Sequence, residues 1–163
     1  AMPLILEKFP QARALIFGEG KLKGRLVDMV GKAHLQDRVI FHPPLPDPAV
    51  IYSFLDVFVM PSLIEGLGLS LMEAQAAGLP VVASRIGGIV DLVAHGRTGL
   101  LVEPGDPRQL AGAVMELLSD RGRAREMGLC ARDFIKENYS AEKMVAQTVK
   151  VYERAVSLRR REP

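Results

Sequence analysis

The chain has 163 residues, of which 48% are hydrophobic and 25% are charged, and its formal net charge is only +2. This composition predicts one globular domain with a sizeable core, and the small charge gives no reason to expect a nucleic acid as partner. No apolar run approaches the roughly 18 residues that a membrane-spanning helix needs.

The cysteine and histidine residues exclude two further kinds of site. Cys130 is the only cysteine, which excludes an internal disulfide and is typical of the reducing cytoplasm. The histidines, His34, His42 and His95, are far apart in sequence and lack the spacing of metal ligands. We therefore expect a cytoplasmic protein with no metal and no other cofactor.

Short apolar strands alternate with helical segments along the chain, which predicts an α/β domain with a mostly parallel sheet covered by helices on both faces. Strands are predicted at about 13–17, 38–41, 57–60, 80–83 and 99–102. Helices are predicted at about 21–34, 48–54, 70–77, 88–94, 107–118, 121–137 and 141–158. Residues 1–163 would then form a single domain with a C-terminal helix.

The segment from Pro61 to Pro80 carries the most informative motif. Two carboxylates eight positions apart, Glu65 and Glu73, enclose a Gly-x-Gly turn that follows a buried strand and precedes a helix. A strand, a glycine turn and a helix in succession direct backbone N–H groups and the positive helix end at an anion. A carboxylate one turn inside that helix can accept hydrogen bonds from sugar hydroxyls. The motif predicts a pocket for a phosphorylated sugar.

Each candidate residue also has a purely structural explanation. Ser70 and Glu73 have the spacing of a capping box, in which both side chains bind backbone donors at a helix start. Glu65 also fits a solvated turn acid, and Gly18-Glu19-Gly20 fits a plain tight turn. His42 could simply pack beside the two prolines that follow it. Arg85 could pair with a phosphate or with an acidic side chain at the surface. On the residues alone these alternatives stay open.

The run Glu65-Gly-Leu-Gly-Leu-Ser-Leu-Met-Glu73 resembles the Glu-x7-Glu motif of retaining glycosyltransferases of the GT-B fold, family 4. Other segments resemble that family's motifs in the same order, namely 12–20, 56–62, 78–84, 87–88 and 96–106. The resemblance implies a doubly wound, Rossmann-like sheet of about five strands, which is the donor-binding half of a GT-B fold. It also implies that the intact enzyme transfers a hexosyl group from a nucleoside diphosphate sugar to an alcohol.

The resemblance assigns a role to each candidate residue. Glu65 would be the catalytic residue and would face the transferred sugar, while Glu73 would bind the ribose hydroxyls of the donor. The other donor-binding residues that it implies are Gly66, Leu67, Gly68, Leu69, Gly18, Glu19, Gly20 and His42. No metal ligand is implied.

The family's domain normally opens with a strand and a basic turn, whereas residues 4–9 resemble the end of the helix that follows them. The missing strand is central in the doubly wound order, so its absence would expose two sheet edges. Either the sheet closes over the gap or another chain fills it, for instance in a homo-oligomer. The N-terminal acceptor domain is also expected as a partner. Alone, the chain is expected to bind the donor weakly and to transfer no sugar.

Two questions remain at this point. Arg159-Arg160-Arg161 is either a solvated terminus or a site of peripheral contact between the intact enzyme and the inner membrane face. The alternative functions are a GT-B-like epimerase or phosphorylase domain and a non-catalytic α/β association module. The base and sugar of the donor and the identity of the acceptor cannot be predicted from these residues.

Overall fold

The computed structural model describes residues 1–47 and 49–159. The strands in this part of the chain are β1 (Ala14–Phe17), β2 (Val39–His42), β3 (Phe58–Met60), β4 (Val81–Ser84) and β5 (Leu100–Val102). The helices are α1 (Met2–Lys8), α2 (Lys23–Lys32), α3 (Ala49–Tyr52), α4 (Leu69–Ala76), α5 (Ile89–Leu92), α6 (Pro107–Ser119), α7 (Arg121–Asn138) and α8 (Ala141–Arg159). Each predicted strand is confirmed to within one residue at either end. Pro48, Arg160 and Arg161, which belong to a predicted helix and to the basic tip, lie outside the described residues.

The strands form two parallel sheets, and the break between them lies where the missing central strand was expected. β1 pairs with β2, and β4 pairs with β3 on one side and with β5 on the other. Within the described residues, β1 and β3 have no backbone pairing with each other, and no strand lies between them. The idea that the sheet closes over the gap is therefore wrong. All observed strand pairs are parallel, as predicted.

The outer edge of β5 is covered by side chains. The Leu101 N–H donates to His95 Nδ1 at 2.9 Å, and the Glu103 N–H donates to Gln109 Oε1 at 3.1 Å. Backbone donors that point away from a sheet otherwise form a template for pairing with another chain. At β5 these two donors already have partners.

The core surrounds β4, which is buried along its whole length. On one face, Val81 and Ala83 pack in a cluster with residues of α4 and α5. On the other face, Val82 packs with residues of α1 and α6. This alternation follows from the period of two along a strand, and it gives the three-stranded sheet a helical layer on both faces. The amphipathic stripe through Leu110, Val114, Leu117 and Leu118 is part of the second face, as predicted.

The two-stranded sheet is much less enclosed. α2, which connects β1 to β2, contains no buried residue, and Leu22, Val27 and Met29 in this region are exposed. None of the described helices combines the length and the apolar character needed to cross a membrane.

Candidate functional site

The predicted motif lies in the loop that joins β3 to α4, residues 61–68, and in the first turns of α4. We call this loop the α4 loop. α4 begins at Leu69, and its N-cap is Gly68, which adopts the left-handed conformation with φ 66° and ψ 57°. That conformation costs other residues about 1–2 kcal/mol, so glycine is required here by the backbone. Ser70 thus lies inside the first turn of the helix, and no side chain caps α4. The capping-box interpretation of Glu73 is wrong because the N-cap is Gly68, two residues before the Ser70 that the motif requires.

The start of α4 presents unpaired backbone donors. Leu71 and Met72 donate to the Gly68 carbonyl, whereas within the described residues no acceptor takes the N–H of Leu69 or Ser70. Both residues are exposed. Free N–H groups at the positive end of a helix are an anion-binding arrangement.

Glu65 lies beside this helix end. The side chain is half-buried, its methylene groups lie against Gly68, and its Oε1 accepts from the Gly66 N–H at 3.2 Å. A carboxylate in this position is stabilised by the positive end of the helix dipole. The Oε2 atom has no hydrogen-bond partner within the described part of the chain.

Gly87 and Gly88 hold the Glu65 loop in place. The Gly88 N–H donates to the Gly66 carbonyl oxygen at 3.1 Å. A Cβ at Gly87 would overlap the Glu65 carbonyl oxygen, and a Cβ at Gly88 would overlap that of Gly66. The loop therefore lies backbone to backbone on the start of α5. Sequence reasoning identified this glycine pair as a family motif at the start of a helix and missed that it supports the loop that carries Glu65.

Glu73 lies on the exposed surface of α4 and is bound by a residue that sequence reasoning missed. The hydroxyl of Tyr52, the last residue of α3, donates to Glu73 Oε2 at 2.8 Å and lies 3.5 Å from the Ser70 carbonyl oxygen. Tyr52 is buried, and its ring makes an edge contact with Phe58 at a centroid distance of 6.1 Å. Burial raises the pKa of Tyr52, and the hydrogen bond to Glu73 and the charge of that carboxylate raise the pKa further. The phenol consequently stays a donor across the neutral range.

Gly18 and His42 meet at the carboxyl ends of β1 and β2. The Gly18 N–H donates to the His42 carbonyl oxygen at 3.1 Å, and the His42 ring lies 5.3 Å from that of Phe17. His42 is exposed, with its Nδ1 atom 2.9 Å from the Pro43 carbonyl oxygen. Glu19 and Gly20 are exposed, and no atom lies within 4 Å of where a Cβ would stand at Gly20.

The predicted site residues thus form two groups. Glu65 to Gly68 lie in the loop before α4, Leu69 begins that helix, and Glu73 lies one turn further along it. By contrast, Gly18, Glu19, Gly20 and His42 lie at the two-stranded sheet. No hydrogen bond or ring contact within the described residues joins these groups directly. α3, which follows β2 in the chain, contacts the second group through the bond from Tyr52 to Glu73.

Arg85 is accounted for by a surface acid. Its Nε lies 3.5 Å from Glu103 Oε1, and both side chains are exposed, so the surface-acid interpretation is confirmed. Elsewhere, an open groove of about 280 Å³ runs between β5 and α6, with His95, Gln109, Glu116 and Arg123 among its lining residues. None of the predicted site residues lines that groove.

In residues 1–47 and 49–159, no three His, Cys, Asp or Glu side chains come together as metal ligands would. The expected absence of a metal or other cofactor stays a prediction.

Comparison with known proteins gives concordant matches. The family model described as "Glycosyl transferases group 1" matches residues 1–134. N-acetyl-alpha-D-glucosaminyl L-malate synthase of Bacillus anthracis is 35% identical over 141 residues, which are 86% of this chain and 37% of that protein. Sucrose-phosphate synthase from Thermosynechococcus elongatus superposes with a TM-score of 0.87 at 32% identity, over 96% of this chain and 42% of that one.

A shorter solved structure covers a similar extent to this chain. The C-terminal domain of a glycosyl transferase group 1 family protein (LpcC) from Francisella tularensis superposes with a TM-score of 0.76 at 29% identity. The match covers 85% of this chain and 75% of that domain. By contrast, the chain spans only about two-fifths of the length of the two longer proteins.

Proposed function

Because the chain belongs to the glycosyl transferases group 1 family and has part of the GT-B fold, we propose that it is the donor-binding domain of a retaining glycosyltransferase. The whole protein would transfer a hexosyl group from a nucleoside diphosphate sugar to an alcohol. The match with the C-terminal domain of the Francisella protein supports the assignment to the donor-binding half. The acceptor would then be bound by an N-terminal domain outside residues 1–163.

The observation that carries this proposal is the set of polar groups in the α4 loop and the first turns of α4. It combines free N–H groups at Leu69 and Ser70 with two carboxylates on either side, Glu65 and Glu73. Within the described residues neither carboxylate is paired with a Lys or Arg side chain. A diphosphate needs donors and positive potential, whereas sugar hydroxyls need acceptors. Residues 65–73 offer donors for the diphosphate and acceptors for the sugar hydroxyls.

In the proposed arrangement, the distal phosphate and the transferred sugar contact the backbone of residues 66–69. Glu73 accepts hydrogen bonds from the ribose hydroxyls, and Glu65 faces the transferred sugar near its anomeric carbon. Gly18, Glu19, Gly20 and His42 line the approach of the nucleotide.

During transfer, the bond from the anomeric carbon to the diphosphate oxygen breaks, and a bond to the acceptor oxygen forms on the same face. The departing diphosphate oxygen keeps the electron pair of the broken bond and takes the proton that the acceptor hydroxyl loses. Stabilising that leaving charge with basic groups is typically worth orders of magnitude in rate. The basic turn that would supply these groups is not in this sequence. The chain alone would therefore bind donor weakly and transfer no sugar.

The proposal includes a cytoplasmic location, and peripheral contact of the whole enzyme at the inner membrane face is the second candidate for the basic tip, after a solvated terminus. The single cysteine supports a reducing compartment, and the basic residues near the C-terminus support contact with anionic lipid. No metal is required in this scheme. The positive potential comes from the start of α4 in this chain and, in the whole enzyme, from the basic turn that this sequence lacks.

Calorimetric titration tests the proposal. UDP, GDP and ADP, each free and as a sugar conjugate, are titrated into the chain and into a Glu65→Ala, Glu73→Ala double variant. We expect one nucleotide to bind and the double variant to lose that binding while it remains folded. A Glu126→Ala, Glu137→Ala variant, which removes two exposed acids of α7, controls for the change in charge. Unchanged nucleotide binding in the site variant would favour the association module, and robust sugar transfer by the chain alone would contradict the expected inactivity.

A further inference from the structure

We propose that Tyr52 is a positioning residue of the donor site, acting through the carboxylate of Glu73. This inference rests on the proposed function and adds a residue that the Glu-x7-Glu motif does not contain. Its basis is the 2.8 Å hydrogen bond from the Tyr52 hydroxyl to Glu73 Oε2.

The Tyr52 ring is held in a fixed place. Only 8% of the residue is exposed, and its ring packs in the same cluster as Leu71 and Ala74 of α4, with Phe58 against its edge. A buried aromatic ring in such a cluster has little rotamer freedom. The Tyr52 hydroxyl is therefore held in one position beside α4.

Glu73, by contrast, has no other fixed contact. It lies on the exposed face of α4, and the described residues give it no ion pair and no hydrogen bond besides the one from Tyr52. A glutamate without a partner samples many rotamers, and ordering it on ligand binding costs conformational entropy. The Tyr52 hydrogen bond supplies that order before the ligand arrives.

The bond also gives the two carboxylate oxygens of Glu73 different roles. An ionised carboxylate only accepts hydrogen bonds, so the phenol must be the donor, and Oε2 is the atom that it engages. Oε1 then remains free to accept from a hydroxyl of the ligand. The same contact joins α3, which follows the β2 end near His42, to the helix that carries Glu73.

A double-mutant cycle on nucleoside diphosphate affinity tests this role. Tyr52→Phe keeps the ring and removes only the hydroxyl, and Glu73→Ala removes the carboxylate that it orients. We expect Tyr52→Phe to weaken binding about twofold to tenfold, because the ligand must then order the Glu73 side chain itself. In the Glu73→Ala background the same change should have no further effect, because Tyr52 acts through that carboxylate.

Two controls separate positioning from general structure. Tyr139→Phe removes another tyrosine hydroxyl, which donates to the Asp91 carbonyl oxygen at 3.0 Å, and should leave affinity unchanged. A 2′,3′-dideoxy nucleoside diphosphate lacks the hydroxyls that Glu73 would bind and should be insensitive to Tyr52→Phe. Titrations are run well below the melting midpoint of each variant.

The outcomes are distinguishable. If the wild-type chain binds nucleotide and Tyr52→Phe binds equally well, the role of Tyr52 is overturned and the proposed function stands. If Tyr52→Phe weakens binding by the same factor with and without Glu73, the tyrosine acts on the fold alone and the inference is again overturned. If the wild-type chain binds no nucleotide, the proposed function falls and the role of Tyr52 falls with it.

Discussion

Gly88 illustrates at the scale of one residue how the site depends on its support. Its N–H binds the Gly66 carbonyl oxygen, and the absence of a side chain lets the two backbones meet. Any larger residue must displace the loop that carries Glu65. The identity of residue 88 thus sets the position of a carboxylate more than twenty positions earlier in the chain.

Gly88→Ala is expected to lower the free energy of unfolding by about 1–3 kcal/mol, because the added methyl group overpacks a close backbone contact. Nucleotide affinity should fall with it, since the loop is displaced. Urea denaturation measures the first effect and calorimetry the second.

Gly112→Ala is the matched control for this prediction. Gly112 is an exposed residue of α6, with no atom within 4 Å of the position of a Cβ. The same substitution there should raise stability by about 0.5–1 kcal/mol, because alanine favours the helix. Equal effects at the two positions would contradict the proposed contact of Gly88.

The residues of the motif could be predicted from sequence because the motif is local. Glu65, the glycine turn and Glu73 lie within nine consecutive positions, and the chain geometry of strand, turn and helix places them together. Tyr52 could not be found in this way, since its bond to Glu73 spans 21 positions and depends on how α3 packs against α4. The capping box at Ser70 failed for a local reason, because a left-handed glycine moved the helix start.

At the scale of elements, α6 stabilises the fold from the face opposite α4. Its N-cap is Asp106, and the Asp106 Oδ1 atom accepts from the N–H groups of Arg108 and Gln109 at 2.9 and 3.0 Å. α6 packs on the Val82 face of β4, whereas α4 packs on the Val81 face. A change in α6 should therefore alter stability and leave the site intact.

Asp106→Ala is expected to lower the free energy of unfolding by about 1 kcal/mol, because two backbone donors lose their acceptor. Nucleotide affinity should stay the same. Asp106→Asn keeps an acceptor oxygen and should retain most of the stability in the same denaturation experiment. A loss with asparagine as large as that with alanine would mean that the cap is not the source of the effect.

Strand positions were predicted better than helix ends, for a physical reason. The apolar strands are short and bounded by turn residues, whereas helix ends depend on tertiary contacts. α5 was expected to reach residue 94 and ends at Leu92, because Val93 is extended (φ −124°, ψ 106°) and its side chain is buried in the core. α2 is shorter than expected, beginning at Lys23 without a side-chain cap.

At the scale of the whole molecule, the sheet is divided in two, and of the two outcomes left open for the missing central strand the structure excludes closure. Strand order is a non-local property, and the sequence pattern of alternating strands and helices is the same whether the sheet is continuous or split. β4 has strands on both sides and is fully buried. In the part of the chain that the structure describes, β1 pairs on one side only and adjoins a helix without buried residues. The two sheets should differ in local stability.

Hydrogen exchange followed by NMR tests this difference. We expect the amides of β4 to exchange most slowly and those of β1 and β2 to exchange much faster, since the latter open without disrupting the core. Comparable protection in β1 and β4 would mean that another chain covers β1 in solution. Light scattering on the same sample would then give the mass of a homo-oligomer, the partner that the exposed edges allow.

The most direct test of the account is to locate the nucleotide on the folded chain. In a two-dimensional amide NMR titration with the nucleoside diphosphate sugar that binds, we predict shifts at Gly66, Gly68, Leu69 and Ser70, with further shifts at Gly18–Gly20. Those amides lie in the α4 loop, in the first turn of α4 and directly after β1, where the donor would contact the backbone. Shifts confined to the groove between β5 and α6, around His95 and Gln109, would contradict the account.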